Sequence, residues 1–212
     1  MVTFPDQRRQ RGQRNRAAVL DAALELFETQ GFEATTVDQI VAVAGVAPRT
    51  FFGHFPSKED VLFDGYAERL DGAARQFRAN PGAPLWVSLS AVASAVAGSI
   101  LEDPERYLLR ARLCAESPSL RATLLRINEE WIDHMTVAIA ERLGTDAHTD
   151  VRPRLAAALL NGSNRAAIEM WVSSGGAADL HALMRDSLEL LRPAVTKIER
   201  APAQKGWGHR AS

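Results

Sequence analysis

Apolar residues recur at three- and four-residue spacings over most of this chain, and no stretch keeps the strict alternation that a half-buried strand needs. Ala17, Leu20, Leu24 and Phe27 share one helical face; Leu120, Leu124, Ile127, Trp131, Met135 and Ala138 share another. Punctuation follows the same logic. Gly31, Gly45, Gly144 and Gly175-Gly176 fall where a helix wants a left-handed stop, and Asp103-Pro104 and Ser117-Pro118 pair a capping side chain with a helix-starting proline. The pattern predicts an all-α fold of about nine helices, near 17–30, 36–45, 48–53, 57–79, 84–101, 104–116, 118–143, 150–174 and 178–192. Residues 193–212 lack the period and are expected to form a flexible tail.

Composition removes several function classes. A single cysteine, Cys114, excludes an intrachain disulfide framework and any multi-cysteine metal site. The five histidines are scattered without ligand spacing, so no metal or other cofactor is expected. The N-terminus has no apolar signal region. Residues 80–101 carry no charge, yet they are rich in Ala, Ser and Gly, which predicts a buried helix rather than a membrane span. These observations place the chain in the cytoplasm, away from the membrane. A formal net charge of −1 argues against a protein that coats nucleic acid, but the sum conceals a polarity. Five arginines against one aspartate give residues 1–16 a charge of +4, which leaves −5 on the remainder.

Beside that basic arm lies a tight helical pair. Thr36 with Gln39 three residues on predicts a capping box; Gly45 ends the short helix, and Pro48 opens the next. Two short helices joined by a glycine-containing turn make a helix-turn-helix candidate, whose second helix can enter a major groove. Its outward residues are Pro48, Arg49, Thr50, Gly53 and His54. Arg49 suits a bidentate hold on a guanine edge, and Lys58 at the next helix start suits a phosphate. A plain helical hairpin explains the hydrophobic pattern equally well; the adjacent arm favours DNA.

The stretch from Thr36 to Leu62, with Ala44-Gly45-Val46, Thr50-Phe51-Phe52, His54-Phe55 and Ser57-Lys58-Glu59, resembles the DNA-binding signature of TetR-family transcriptional regulators. The likeness extends upstream through Ala22 to Phe27 and Gly31-Phe32, covering about residues 14–62. It implies an N-terminal helix-turn-helix domain over 1–56, an effector-binding and dimerisation domain over 57–192 with the fourth helix as connector, and a homodimeric repressor controlled by a small molecule. Carried over by position, Thr36, Thr50, His54 and Lys58 match phosphate-contacting places, and Pro48, Arg49 and Gly53 match groove-facing ones; Arg14 of the basic arm and Phe52 complete the DNA-binding candidates. Phe52 stands where the family often has tyrosine, so a phenolic phosphate contact is lost. Ala47 stands where a Ser or Thr cap is common. Glu116-Ser117-Pro118-Ser119-Leu120 and Ala167 to Trp171 resemble the mycofactocin-regulator branch, which makes an acyl-CoA or similar lipophile one candidate effector.

The second half shows no catalytic constellation, so an enzyme is not expected. Glu129 and Glu130 are adjacent and diverge by about 100° on a helix, and Ser163 lacks a nucleophile-elbow context. Trp86, Tyr107, Trp131 and Met135, with Asn161 and Arg165 as polar anchors, are the candidate lining of an apolar effector pocket. Gly162, Ser163, Ala166 and Ala167 permit close helix approach, so the expected eighth and ninth helices suit a two-fold homodimer interface facing a palindromic operator. Two rival functions stand beside this one. One is an effector-independent activator or architectural DNA binder; the other is a helical enzyme or ligand carrier whose hairpin is structural.

Overall fold

The computed structural model describes residues 4–202; the outer ends of the expected arm and tail, residues 1–3 and 203–212, lie outside it. The described residues are all-α, as the periodicity predicts, and form eleven helices. These are α1 (Phe4–Gln30), α2 (Val37–Ala44), α3 (Pro48–Phe52), α4 (Lys58–Leu62), α5 (Tyr66–Arg78), α6 (Leu85–Leu101), α7 (Pro104–Glu116), α8 (Pro118–Leu143), α9 (Val151–Ser173), α10 (Leu180–Glu189) and α11 (Arg192–Arg200).

Three differences from the predicted elements have local causes. The first helix begins at Phe4 rather than near residue 17, so the basic arm is part of α1. The expected connector helix over 57–79 is interrupted, since Gly65 takes a φ of 74° that ends one helix before the next begins. The expected tail is helical as far as Arg200. Pro193 sits in the first turn of α11, where a missing N–H costs nothing, and Val195 and Ile198 bury one face.

The chain divides into two compact units. The first holds residues up to Tyr66 together with Leu109–Thr123. In it α1 packs against α2, α3 and α4, around Val19, Ala23, Phe27, Ile40, Phe51 and Phe55. Ser117 Oγ donates to Glu33, and the Arg110 guanidinium lies 6.0 Å from the Phe63 ring centre, so the distant segment is tied to this unit. Burial pushes the Cys114 thiol up against the opposing pull of Arg110 and Arg121. A protonated, buried thiol is a packing residue rather than a nucleophile.

The second unit holds Ala67–Leu108 and everything from Leu124 onward. Here α10 packs on α9 and α6, and α11 packs on α6 and α9. One core joins Ala97, Ile100, Ala167, Trp171, Leu180 and Met184, with Tyr107 edge-on to Trp171 at 5.9 Å. Gly176 is required twice over: its φ is 84°, and a Cβ there would meet Leu108 and Trp171 at 3.2 and 3.3 Å. The uncharged α6 buries Leu85, Leu89, Val92, Ala93 and Ala97 inside this unit. Among the described residues no single helix is long and apolar enough to cross a membrane.

Candidate functional site

The short helices of the first unit are held by local chemistry. Thr36 Oγ1 accepts from the Gln39 N–H at 3.2 Å, and Gln39 Oε1 accepts from the Thr36 N–H at 2.8 Å. The predicted capping box is therefore formed in full. Gly45 closes α2 at a φ of 65°, and α3 starts on Pro48 after Ala47, which supplies no side-chain cap. Ser57 Oγ then accepts from the Asp60 N–H and donates to its carboxylate at 2.7 Å, which opens α4.

That frame leaves one side of α3 outward. Phe51 points into the core, completely buried, while Pro48, Arg49, Phe52 and Gly53 are exposed. Among the described residues the Arg49 guanidinium has no hydrogen-bond or ion-pair partner. Thr50 and His54 are half-buried at the edge of this face; His54 Cε1 lies 3.9 Å from where a side chain on Gly12 of α1 would begin. Arg9, Arg11 and Arg14 are exposed along α1, and Arg14 Nε reaches only the Gln10 carbonyl of its own helix at 3.4 Å.

Two cations counted toward phosphate in the sequence are engaged inside the unit. Lys58 Nζ donates to the carbonyls of Phe32 and Thr35 at 2.9 and 3.0 Å and lies 4.2 Å from the Phe32 ring centre. Its ammonium pins the turn that presents Thr36, which is a positioning role. Arg16 pairs with Asp64 and lays its guanidinium 5.3 Å from the Phe55 ring centre. The charge of the arm is therefore carried outward by the arginines nearer the N-terminus.

The expected effector residues are distributed unevenly. Trp131 and Met135 are buried one turn apart on α8, and Tyr107 packs on Trp171. Trp86 is half-buried, with the Arg192 guanidinium 5.7 Å above its ring. Asn161 is half-buried. Arg165 does not point inward: it is 62% exposed and pairs with Glu169 at 2.8 Å. A guanidinium so placed is neutralised on the surface and cannot anchor a buried ligand.

The inward polar residue of α9 is its neighbour, Asn164. It is 5% exposed, and its Oδ1 has no hydrogen-bond partner. The signal was in the spacing: Leu160, Asn164, Ala167 and Trp171 form one buried stripe, from which Arg165 is turned by about 100°. Elsewhere polar groups in this unit are well matched. Asp150 caps α9, and its carboxylate takes the Arg152 side chain, both being buried. That hydrogen-bonded guanidinium holds the Asp150 carboxyl at about 2, below the ordinary value of 3.8. Arg142 Nη1 donates to Ser88 Oγ at 2.9 Å, and Ser163 and Ser187 share a hydrogen bond at 2.9 Å between α9 and α10.

Two stretches of the chain match known families. Residues 19–64 match the family described as bacterial regulatory proteins, tetR family, and residues 83–196 match the MftR C-terminal domain. The chain is 33% identical over 210 residues to the HTH-type transcriptional regulator TcmR of Streptomyces glaucescens, covering 93% of this chain and 92% of that one. It is 26% identical to the putative mycofactocin biosynthesis transcriptional regulator MftR of Mycobacterium tuberculosis, over 73% of this chain and 78% of that one. In fold it is similar to the transcriptional regulator FadR of Bacillus subtilis, solved in complex with stearoyl-CoA. The TM-score is 0.56 at 22% identity, over 82% of this chain and 96% of that one.

Proposed function

The chain belongs to the TetR family of bacterial regulatory proteins, and on that premise we propose that it is a homodimeric repressor that grips a palindromic operator and releases it when a small lipophilic effector binds. The observation that carries the DNA reading is the outward side of α3, where Arg49 stands unpaired while Phe51 anchors the opposite side in the core. In this reading Arg49 takes a guanine edge, while Pro48 and Gly53 let the helix approach closely. Thr36, Thr50, His54 and Arg14, with the other exposed arginines of α1, meet phosphates. Lys58 acts through the turn it pins.

A second copy of the chain docks on α9 and α10. Leu155, Gly162, Ala166 and Met170 follow one exposed face of α9, apolar or small at every step, and Leu190 ends α10 at 83% exposure. Such a face is costly in water and allows close two-fold helix packing. A two-fold dimer brings two copies of α3 to the two halves of a palindromic operator.

The effector occupies the second unit, with Tyr107, Trp131, Met135 and Asn161 among its contacts and Asn164 added as a polar anchor. A buried amide oxygen without a partner is the kind of group an apolar pocket uses to fix a ligand. The FadR relative bound to stearoyl-CoA makes long-chain acyl-CoAs the first compounds to try. The protein works in the cytoplasm and catalyses nothing; the effector acts only through its different affinity for the DNA-competent and released states.

The test has two stages. Purified protein is used to select duplexes from a random pool, and binding is measured by gel shift against salt. A palindromic product whose affinity falls steeply with salt is expected; failure to enrich any sequence overturns the repressor reading. Acyl-CoAs of increasing chain length are then screened for thermal stabilisation together with operator release. A compound that stabilises the protein but leaves the complex intact counts against the effector mechanism.

A further inference from the structure

Phe52 is a DNA-binding candidate whose contact is still undefined. It is 57% exposed on α3, and its ring stands edge-on to the buried Phe51 ring at 5.2 Å and 82°. A phenyl ring has neither donor nor acceptor, so it cannot take a phosphate or a polar base edge. It lies three residues beyond Arg49, which puts both side chains on the same side of the helix. Its surroundings are those of an anion-binding surface, with Arg49 beside it and the α1 arginines in the same unit, and the partner they attract is a polyanion rather than an apolar protein face. Within a major groove the bases present one apolar group, the 5-methyl of thymine.

We propose that Phe52 reads the 5-methyl group of a thymine in each operator half-site, next to the guanine taken by Arg49. This rests on the DNA-reading role of α3 and adds to it a sequence preference that Arg49 alone does not give. A phenolic side chain at this position would divide its contacts between phosphate and base. The phenylalanine commits the position to the base.

The experiment uses the full chain and the operator obtained by selection. Each thymine is replaced in turn by deoxyuridine, which removes only the methyl group, and affinity is measured at constant salt. One sensitive thymine per half-site is expected, within two base pairs of the guanine that Arg49→Ala ceases to distinguish. The loss at each is about fourfold, the value set by burying a single methyl group. Phe52→Ala, shown by thermal melting to be as stable as the parent, binds more weakly and no longer distinguishes thymine from deoxyuridine there. Uniform indifference to deoxyuridine in the parent protein overturns the inference while leaving DNA recognition by α3 intact. The same holds if Phe52→Ala retains the full methyl dependence, or if the half-sites lack a thymine at that distance. If no operator is selected at all, the DNA reading falls and the role of Phe52 falls with it.

Discussion

Thr36 and Gln39 satisfy each other's backbone groups across three residues, whereas the Leu85 N–H at the start of α6 is satisfied by the Glu199 carboxylate 114 residues later. The contrast runs through the molecule. In the first unit, caps and turns close on near neighbours, and a few remote contacts, those of Lys58, of Arg16 and of Ser117 with Glu33, hold those pieces together. In the second unit the polar groups that matter bridge separate helices: Arg142 to Ser88, Ser163 to Ser187, and Arg152 to the Ala201 carbonyl beyond α11. A locally closed surface can change its outward residues without disturbing its core. A unit held by long-range polar links cannot change them independently.

Four substitutions test that division, starting from the largest effect. Asp150→Asn leaves the buried Arg152 guanidinium without its counter-charge and should cost about 3–5 kcal/mol in urea unfolding at neutral pH. The parent should also lose about 2 kcal/mol as pH falls from about 4 towards about 2. Its Asp150 carboxyl sits at about 2 when folded against 3.8 when exposed, so this stabilisation is fully present above the unfolded value and vanishes below the folded one. Asp150→Asn should lack that acid-dependent loss; retaining it would assign the pH dependence to another group.

Arg49→Ala should reduce operator affinity by about 1–3 kcal/mol, roughly five- to hundredfold, with an unchanged melting temperature. A shift in melting temperature would show that the face is not independent of the core. Asn164→Leu should raise stability by about 1–2 kcal/mol, because it removes a buried acceptor without a partner. It should also blunt the response to any effector that releases the operator. A destabilised variant would mean that Asn164 is satisfied by its surroundings. Thr36→Ala is the smallest change: loss of one cap should cost about 1 kcal/mol by thermal melting.

The same contrast explains what could be read from the sequence. The α2–α3 frame was legible because every signal in it is local: a Thr-x-x-Gln box, a glycine stop, a proline start. The break at Gly65 was not, since helical periodicity continues across Phe63-Asp64-Gly65 and only the Asp-Gly pair marks the turn. The sequence from 193 onward reads as a tail, yet Pro193 lies in the first turn of α11, a distinction that depends on whether Val195 and Ile198 have something to pack on. The outward positions of Pro48, Arg49 and Gly53 followed from the helical frame. The internal partners of Lys58 and Arg16 did not, because no sequence spacing reports a carbonyl 26 residues away or a carboxylate 48 residues away. Arg165 faces outward and Asn164 inward on α9, a difference of face that the stripe Leu160, Asn164, Ala167 and Trp171 marks in the sequence.

The position of α11 also bears on how the protein is made. A chain leaves the ribosome N-terminus first. Leu85 emerges with its N–H unpaired and must wait for Glu199, and Arg152 waits 49 residues for the Ala201 carbonyl. The second unit therefore cannot finish folding until α11 and the residue after it have emerged. A nascent chain stalled before Arg192 would expose its apolar helices to chaperones and proteases, so a message truncated ahead of α11 should yield degraded protein rather than a shortened regulator.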